Sequence, residues 1–193
     1  MAGPELVDDC SRCAALCCGA YPFQSGIGAG IDKPADVPCP HLSGTRCAIH
    51  AERAERGFDG CVAYTCHGAG QYITQEMFGG ASWDEAPELR EPMMAALRDL
   101  QPVQEWRALI DAALAMPLPK DRRAEAVRLE AALCPDGTWT ETALRALHRG
   151  GLPDEVRAFF RSLEATTHRE APPSPRPAAD RCSRAAGSHR RSG

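Results

Sequence analysis

Eight cysteines crowded between Cys10 and Cys66 carry most of the chemistry this chain has to offer. Four arrive in one burst, Cys10-x2-Cys13-x3-Cys17-Cys18. On an α-helix, Cys10, Cys13 and Cys17 would fall within a sector about 60° wide, with Cys18 about 100° to the side. Asp8 or Asp9 would cap such a helix. Three thiolates on one stripe suit a multidentate site for a soft metal, whether zinc, copper(I) or an iron–sulfur cluster. The other four are more dispersed. Cys39 lies in a loop between Pro38 and Pro40, Cys47 is placed at the first turn of a helix running to Gly57, and Cys61 follows Phe58-Asp-Gly. Cys66 opens a further helix through Tyr72, Ile73 and Met77, which Gly79-Gly80 ends. Helix N-termini favour the thiolate over the thiol, the form that binds metal.

The expected ligands are therefore Cys10, Cys13, Cys17, Cys18, Cys39, Cys47, Cys61 and Cys66. His41, His50 and His67 each stand within three residues of one of them, so any could replace a thiolate. A histidine so placed more often supports a ligand or faces solvent. The spacing leaves the metal open: one iron–sulfur cluster with spare thiols, one zinc with spares, or two four-ligand sites. Cys134 reads as a small apolar residue at a helix end, and Cys182 as an isolated thiol.

The rest of the sequence supports metal over disulfides. The first nine residues lack the basic and apolar regions of a signal peptide, and no apolar run reaches the roughly 20 residues a bilayer requires. A cytoplasmic chain is expected, and there clustered thiols serve metal or catalysis. The net charge of −4 is uneven: residues 168–193 hold six Arg against Glu170 and Asp180, a net of +4, which leaves −8 on residues 1–167. An acidic body disfavours nucleic acid and anionic membranes as partners, while an unidentified protein partner stays open.

Those cysteines need elements to hold them. Residues 19–45 are rich in Gly and Pro, which predicts loops and little core, so a staple is required. Gly26-Ile-Gly-Ala-Gly30 lacks the flanking strand, helix and Lys-Ser/Thr of a phosphate loop. From Trp83 onward helical periodicity takes over. A helix capped by Asp84 carries Leu89, Met93, Met94 and Leu97 and is expected to break at Pro102. A second runs from Trp106 to Met116, and a third starts at Asp121. A fourth follows Thr138-Trp-Thr-Glu141, where Thr138 and Thr140 compete for the cap. The last begins near Pro153 and presents Val156, Phe159, Phe160 and Leu163. The predicted fold is mainly α, in three parts. A loop-rich, metal-stapled cysteine-cluster domain spans 1–80, a small bundle of short helices 81–167, and a disordered Pro/Arg-rich tail 168–193.

The order Cys10-x2-Cys13-x3-Cys17-Cys18, Cys39-x2-Leu42-x4-Cys47-x-Ile49-His50-x2-Arg53 and Cys61 resembles the zinc- or iron-chelating cysteine-cluster family, which includes the flagellin lysine N-methylases. Residues 10–80, with Phe58-Asp-Gly-Cys61, Gly68-Ala-Gly-Gln71 and Phe78-Gly-Gly80, look most like the N-terminal region of actinobacterial pentapeptide-repeat proteins. The third block is stretched here, and no tandem pentapeptides follow Phe160. The likeness to the methylases implies an iron–sulfur cluster, while the spacing keeps Zn2+ open.

The expected function is a non-catalytic metal-binding module with an interaction or structural role. Two alternatives stand beside it. One is an iron–sulfur redox or methyl-transfer-associated enzyme, although no S-adenosylmethionine or flavin site is recognisable. The other is a thiol-based sensor of oxidant or metal.

Overall fold

The computed structural model describes residues 5–170, with side chains as far as Glu164. The chain is mainly helical, as its periodicity requires. Helix α1 (Leu16–Ala20), the two-stranded antiparallel β1 (Leu42–Ser43) and β2 (Arg46–Cys47), α2 (Asp59–Ala63) and α3 (Ala69–Tyr72) make up the cysteine-bearing part. Four longer helices follow: α4 (Arg90–Leu114), α5 (Lys120–Ala132), α6 (Glu141–Arg149) and α7 (Leu152–Glu170). The tail expected beyond Thr167 lies, from residue 171 on, outside the described residues, and Cys182 with it.

Helix α4 organises the molecule. Met93, Leu97, Leu100, Val103, Gln104, Arg107 and Ile110 recur at steps of one, three or four residues and are all buried. The break expected at Pro102 does not occur, since α4 runs through it for 25 residues. Proline inside a helix costs about 3 kcal/mol or more through the lost hydrogen bond and ring clash. Fully buried Leu97 and Leu100 on one side of it and Val103 and Ile110 on the other offset that, at about 1.5–3 kcal/mol each.

Other expected helix starts move by a few residues. Asp84 and Asp121 do not cap their helices: a 3-10 turn at Pro87–Leu89 leads into α4, and Pro119 precedes α5. Thr140 wins the competition at α6, its hydroxyl accepting from the Ala143 N–H at 3.2 Å.

One large core joins the first helices to the last. Ala14, Leu16, Ala20, Ala69 and Ile73 pack with the buried face of α4 and with Leu129, Leu144, Val156 and Phe159. Polar anchors lock the N-terminal segment to it. Trp83 donates its indole N–H to the Ala14 carbonyl, and Gln104, fully buried in α4, reaches the Glu5 and His67 carbonyls at 3.3 and 3.1 Å. A second, much smaller core holds only Ala29, Ile49 and Phe58 as buried members, with Phe23, Ile31, Cys47 and Cys61 against it. It lies under the loops between α1 and α2.

Candidate metal centre

The stripe of thiols on one helix is replaced by something less regular. Cys10 begins a 3-10 turn (Cys10–Arg12), capped by Asp9, whose carboxylate accepts from the Ser11 N–H at 3.0 Å. Cys13 is extended, Ala15 is left-handed at φ 54°, and only then does α1 begin. The backbone therefore changes direction twice between Cys10 and Cys17. Asp9 and the buried Ala14, whose N–H donates to the Thr74 hydroxyl at 3.0 Å, explain why the short-range turn prevails over a continuous helix. Cys47 also departs from expectation. It sits in β2, paired with Leu42, and only a 3-10 turn at His50–Glu52 follows. Cys66 is placed much as expected, just ahead of α3, which continues as a π-helical turn (Ile73–Met77) to Gly79 and Gly80, both at positive φ.

Despite these departures the eight thiols converge. Cys10, Cys13, Cys17, Cys18, Cys39, Cys47, Cys61 and Cys66 all line one cavity of about 1250 Å³. Cys134, half-buried between α5 and α6, is not part of it. His41 and His50 also line the cavity, whereas His67 does not. His41 is engaged edge-to-face with Phe58, ring centres 5.3 Å apart.

Close approach of backbone makes the convergence possible. Gly70 is where the Cys13 and Cys66 sulfurs gather: a Cβ added there would stand 2.6 Å from one and 3.7 Å from the other. The Gly70 N–H also donates to the Cys66 sulfur at 3.4 Å. On the other side of the cavity the Gly60 N–H donates to the Gly28 carbonyl at 2.6 Å, and a Cβ on Gly60 would meet that oxygen at 2.7 Å. This contact brings the glycine-rich loop against α2 and so carries Cys61 to the cavity wall.

The charges around the thiols differ from place to place. Burial pushes Cys13 up to about 11 and Cys66 to about 12, against N–H donors that favour the thiolates. Cys17 donates to Cys18, which lies below the usual thiol range through that bond and the nearby charges of Lys33 and Arg53; Cys17 is raised correspondingly. Cys39 and Cys61 are raised by burial first, then by neighbouring thiols. Lys33 is 4% exposed, and its ammonium donates to the Val37, Pro34 and Gly19 carbonyls at 2.6, 3.1 and 3.4 Å. Arg53 donates to the Cys61 and His50 carbonyls, both at 2.9 Å.

Among the described residues no three Cys, His, Asp or Glu side chains already stand in coordinating geometry around one point. The local bonds give a reason. The Cys66 thiol is turned toward the Asp8 carboxylate at 3.3 Å, and Cys17 toward Cys18, as neutral thiols require. The donor set itself fits a thiophilic metal, with thiols as its principal donors, two buried or bonded cations beside them, and a bare glycine where two sulfurs meet.

A 122-residue stretch of the chain is similar, at 34% identity, to a Bacillus subtilis (strain 168) protein named "Uncharacterized protein YybG". The stretch covers 63% of this chain and 44% of that protein's length. No family model matches the chain, and no solved structure does.

Lys33, Gly70 and Thr74 were missed as site residues by sequence reasoning. Lys33 had a signal, being one of two lysines in a chain whose other basic residues are arginines. Gly70 had only its place in Gly68-Ala-Gly-Gln71, and Thr74 had none.

Proposed function

We propose that the chain is a metal-binding module in which the thiolates of Cys10, Cys13, Cys17, Cys18, Cys39, Cys47, Cys61 and Cys66 hold zinc or iron–sulfur. The role is non-catalytic, with metal acting as the staple of the loop-rich segment. One observation carries this reading: eight cysteines spread over 57 residues, on five separate pieces of backbone, line a single cavity. Inert packing does not need sulfur from so many places, and the surrounding core of Ala29, Ile49 and Phe58 is too small to account for the order of the loops. All nine cysteines among the described residues are free thiols, which fits a reducing compartment such as the cytoplasm. Among the described residues no helix is long and apolar enough to cross a membrane.

The thiolate set supplies soft, negatively charged donors, and Lys33 and Arg53 offset part of the charge that would accumulate. Between the two metals, the likeness to the methylases favours iron–sulfur, which is the form proposed. The deciding experiment is elemental analysis with a visible spectrum on full-length protein purified anaerobically without a metal-affinity tag. Iron with acid-labile sulfide, or stoichiometric zinc in a colourless protein, would support the module and name its metal. Protein free of both, with all its thiols open to alkylation in the folded state, would end this reading.

A further inference from the structure

The eight thiols rest on two different foundations. Cys13, Cys17 and Cys66 pack against the large core organised by α4. Cys47 and Cys61 pack against the small core of Ala29, Ile49 and Phe58. Cys17 and Cys18 are neighbours in α1, so this one helix borders both sides, with the Cys17 thiol turned toward Cys18 where they join. The second side is tied together through backbone: the Cys39 N–H donates to the Cys18 carbonyl at 3.0 Å, and the Leu42 N–H to the Cys39 carbonyl at 3.0 Å. Leu42 then pairs with Cys47 across the β-ribbon, and Arg53 holds the Cys61 carbonyl. On the first side the Cys13 and Cys66 sulfurs meet over Gly70.

Taking the metal-binding reading as its basis, we infer that the cavity holds two separate four-thiolate centres, Cys10, Cys13, Cys17 and Cys66 forming one and Cys18, Cys39, Cys47 and Cys61 the other. The exposed Cys10 joins the first set as the residue three positions before Cys13, the short spacing with which chelating pairs bind one ion.

The division also makes the two centres chemically unequal. The second is flanked by the Lys33 ammonium, held among the Gly19, Pro34 and Val37 carbonyls, and by the Arg53 guanidinium on the Cys61 carbonyl, two cations that lower the cost of gathering four thiolates. The first has the Asp8 carboxylate against Cys66 and an exposed ligand in Cys10, so it is the more open and the more readily emptied.

The test is an anaerobic titration of Co2+ into the reduced, metal-free full chain, followed by sulfur-to-cobalt charge-transfer absorption and by native mass spectrometry. The absorption should rise to an end point at two equivalents. Alkylation with iodoacetamide at one equivalent should spare four cysteines drawn from one set. Cys61→Ser and Cys66→Ser should each retain one cobalt with full four-thiolate intensity. An end point at one equivalent, or protection of a foursome that mixes Cys13 or Cys66 with Cys39 or Cys61, would overturn the division while leaving the metal-binding reading in place. A chain that binds no cobalt at all would likewise overturn the division, while the metal-binding reading stands or falls on the elemental analysis above.

Discussion

The loop-rich wall that carries Cys39, Cys47 and Cys61 and the helical layer that carries Cys13, Cys17 and Cys66 face the same cavity but are held up in opposite ways. The helical layer shares a core running from Ala14 to Phe159, with residues such as Leu97, Leu100 and Ile110 wholly removed from water. The loop wall has a core of three buried residues, a β-ribbon of two residues per strand, and hydrogen bonds that mostly run between neighbouring turns. Burying three side chains contributes only a few kcal/mol, far less than the entropy of ordering some forty residues at about 1–2 kcal/mol each. A metal would matter differently to the two walls. On one side it would occupy a site that apolar packing already builds, and on the other it would be the main reason a site exists.

The largest expected effect follows directly. Stripping metal with a strong chelator should release residues 22–64 to near-complete amide exchange, while α4 to α7 keep their protection. Hydrogen exchange by mass spectrometry reads both regions at once. Equal protection of the two with and without metal would abolish the distinction. A lesser effect breaks the comparison from the other side. Leu100→Ala, at a fully buried position in α4, should cost about 2–5 kcal/mol in urea unfolding of the whole chain, because both the thiol layer and the bundle depend on that core. If it melted only the bundle and left the Cys13–Cys66 pair ordered, the shared core would be an illusion.

A smaller and more local probe is Gly70→Ala. Its new methyl would lie 2.6 Å from the Cys13 sulfur, so the thiol must shift from its place beside Cys66. Overpacking of this kind costs about 1–3 kcal/mol, partly offset by alanine's better helix propensity. The expected outcome is weakened metal retention on the helical side with unchanged exchange in residues 22–64. Loss of order in the loop wall as well would mean that the two sides are one unit.

The same contrast sets what could be read from sequence. The bundle was legible because its apolar residues, such as Met93, Leu97, Val156 and Phe159, recur at helical spacing and the Thr140 cap is a local signal. Pro102 misled for a physical reason: a local penalty is visible in sequence, whereas the burial of Leu97, Leu100, Val103 and Ile110 that overrides it depends on the tertiary fold. The candidate ligands were legible as residue types. Their geometry was not, since the turn at Cys10–Arg12, the left-handed Ala15 and the ribbon placing Cys47 depend on distant partners such as Thr74 and Leu42. Lys33 illustrates the limit well. Only the fold shows that its ammonium is buried among carbonyls beside the thiols.

The smallest effect concerns Asp8, on the packed side of the cavity. Burial alone would raise its carboxyl, but bonds from the Gly68 N–H, Thr65 and the Cys66 thiol outweigh burial and hold it below its ordinary value of 3.8. A carboxyl lowered in the folded state contributes stability above its unfolded pKa, and that contribution is lost as pH falls through the folded value. Metal-free protein should therefore lose a little stability below about pH 4, less than about 1 kcal/mol given how exposed Asp8 is. Asp8→Asn should flatten that decline in urea unfolding followed from pH 5 to pH 3. Metal changes the argument, because a coordinated Cys66 thiolate has no proton to donate and places a like charge beside the carboxylate. Asp8 should then be less depressed in loaded protein, and the low-pH decline smaller at any pH where metal is retained. An equal decline in both forms would show that Cys66 keeps its proton, and so stands outside the metal's ligands.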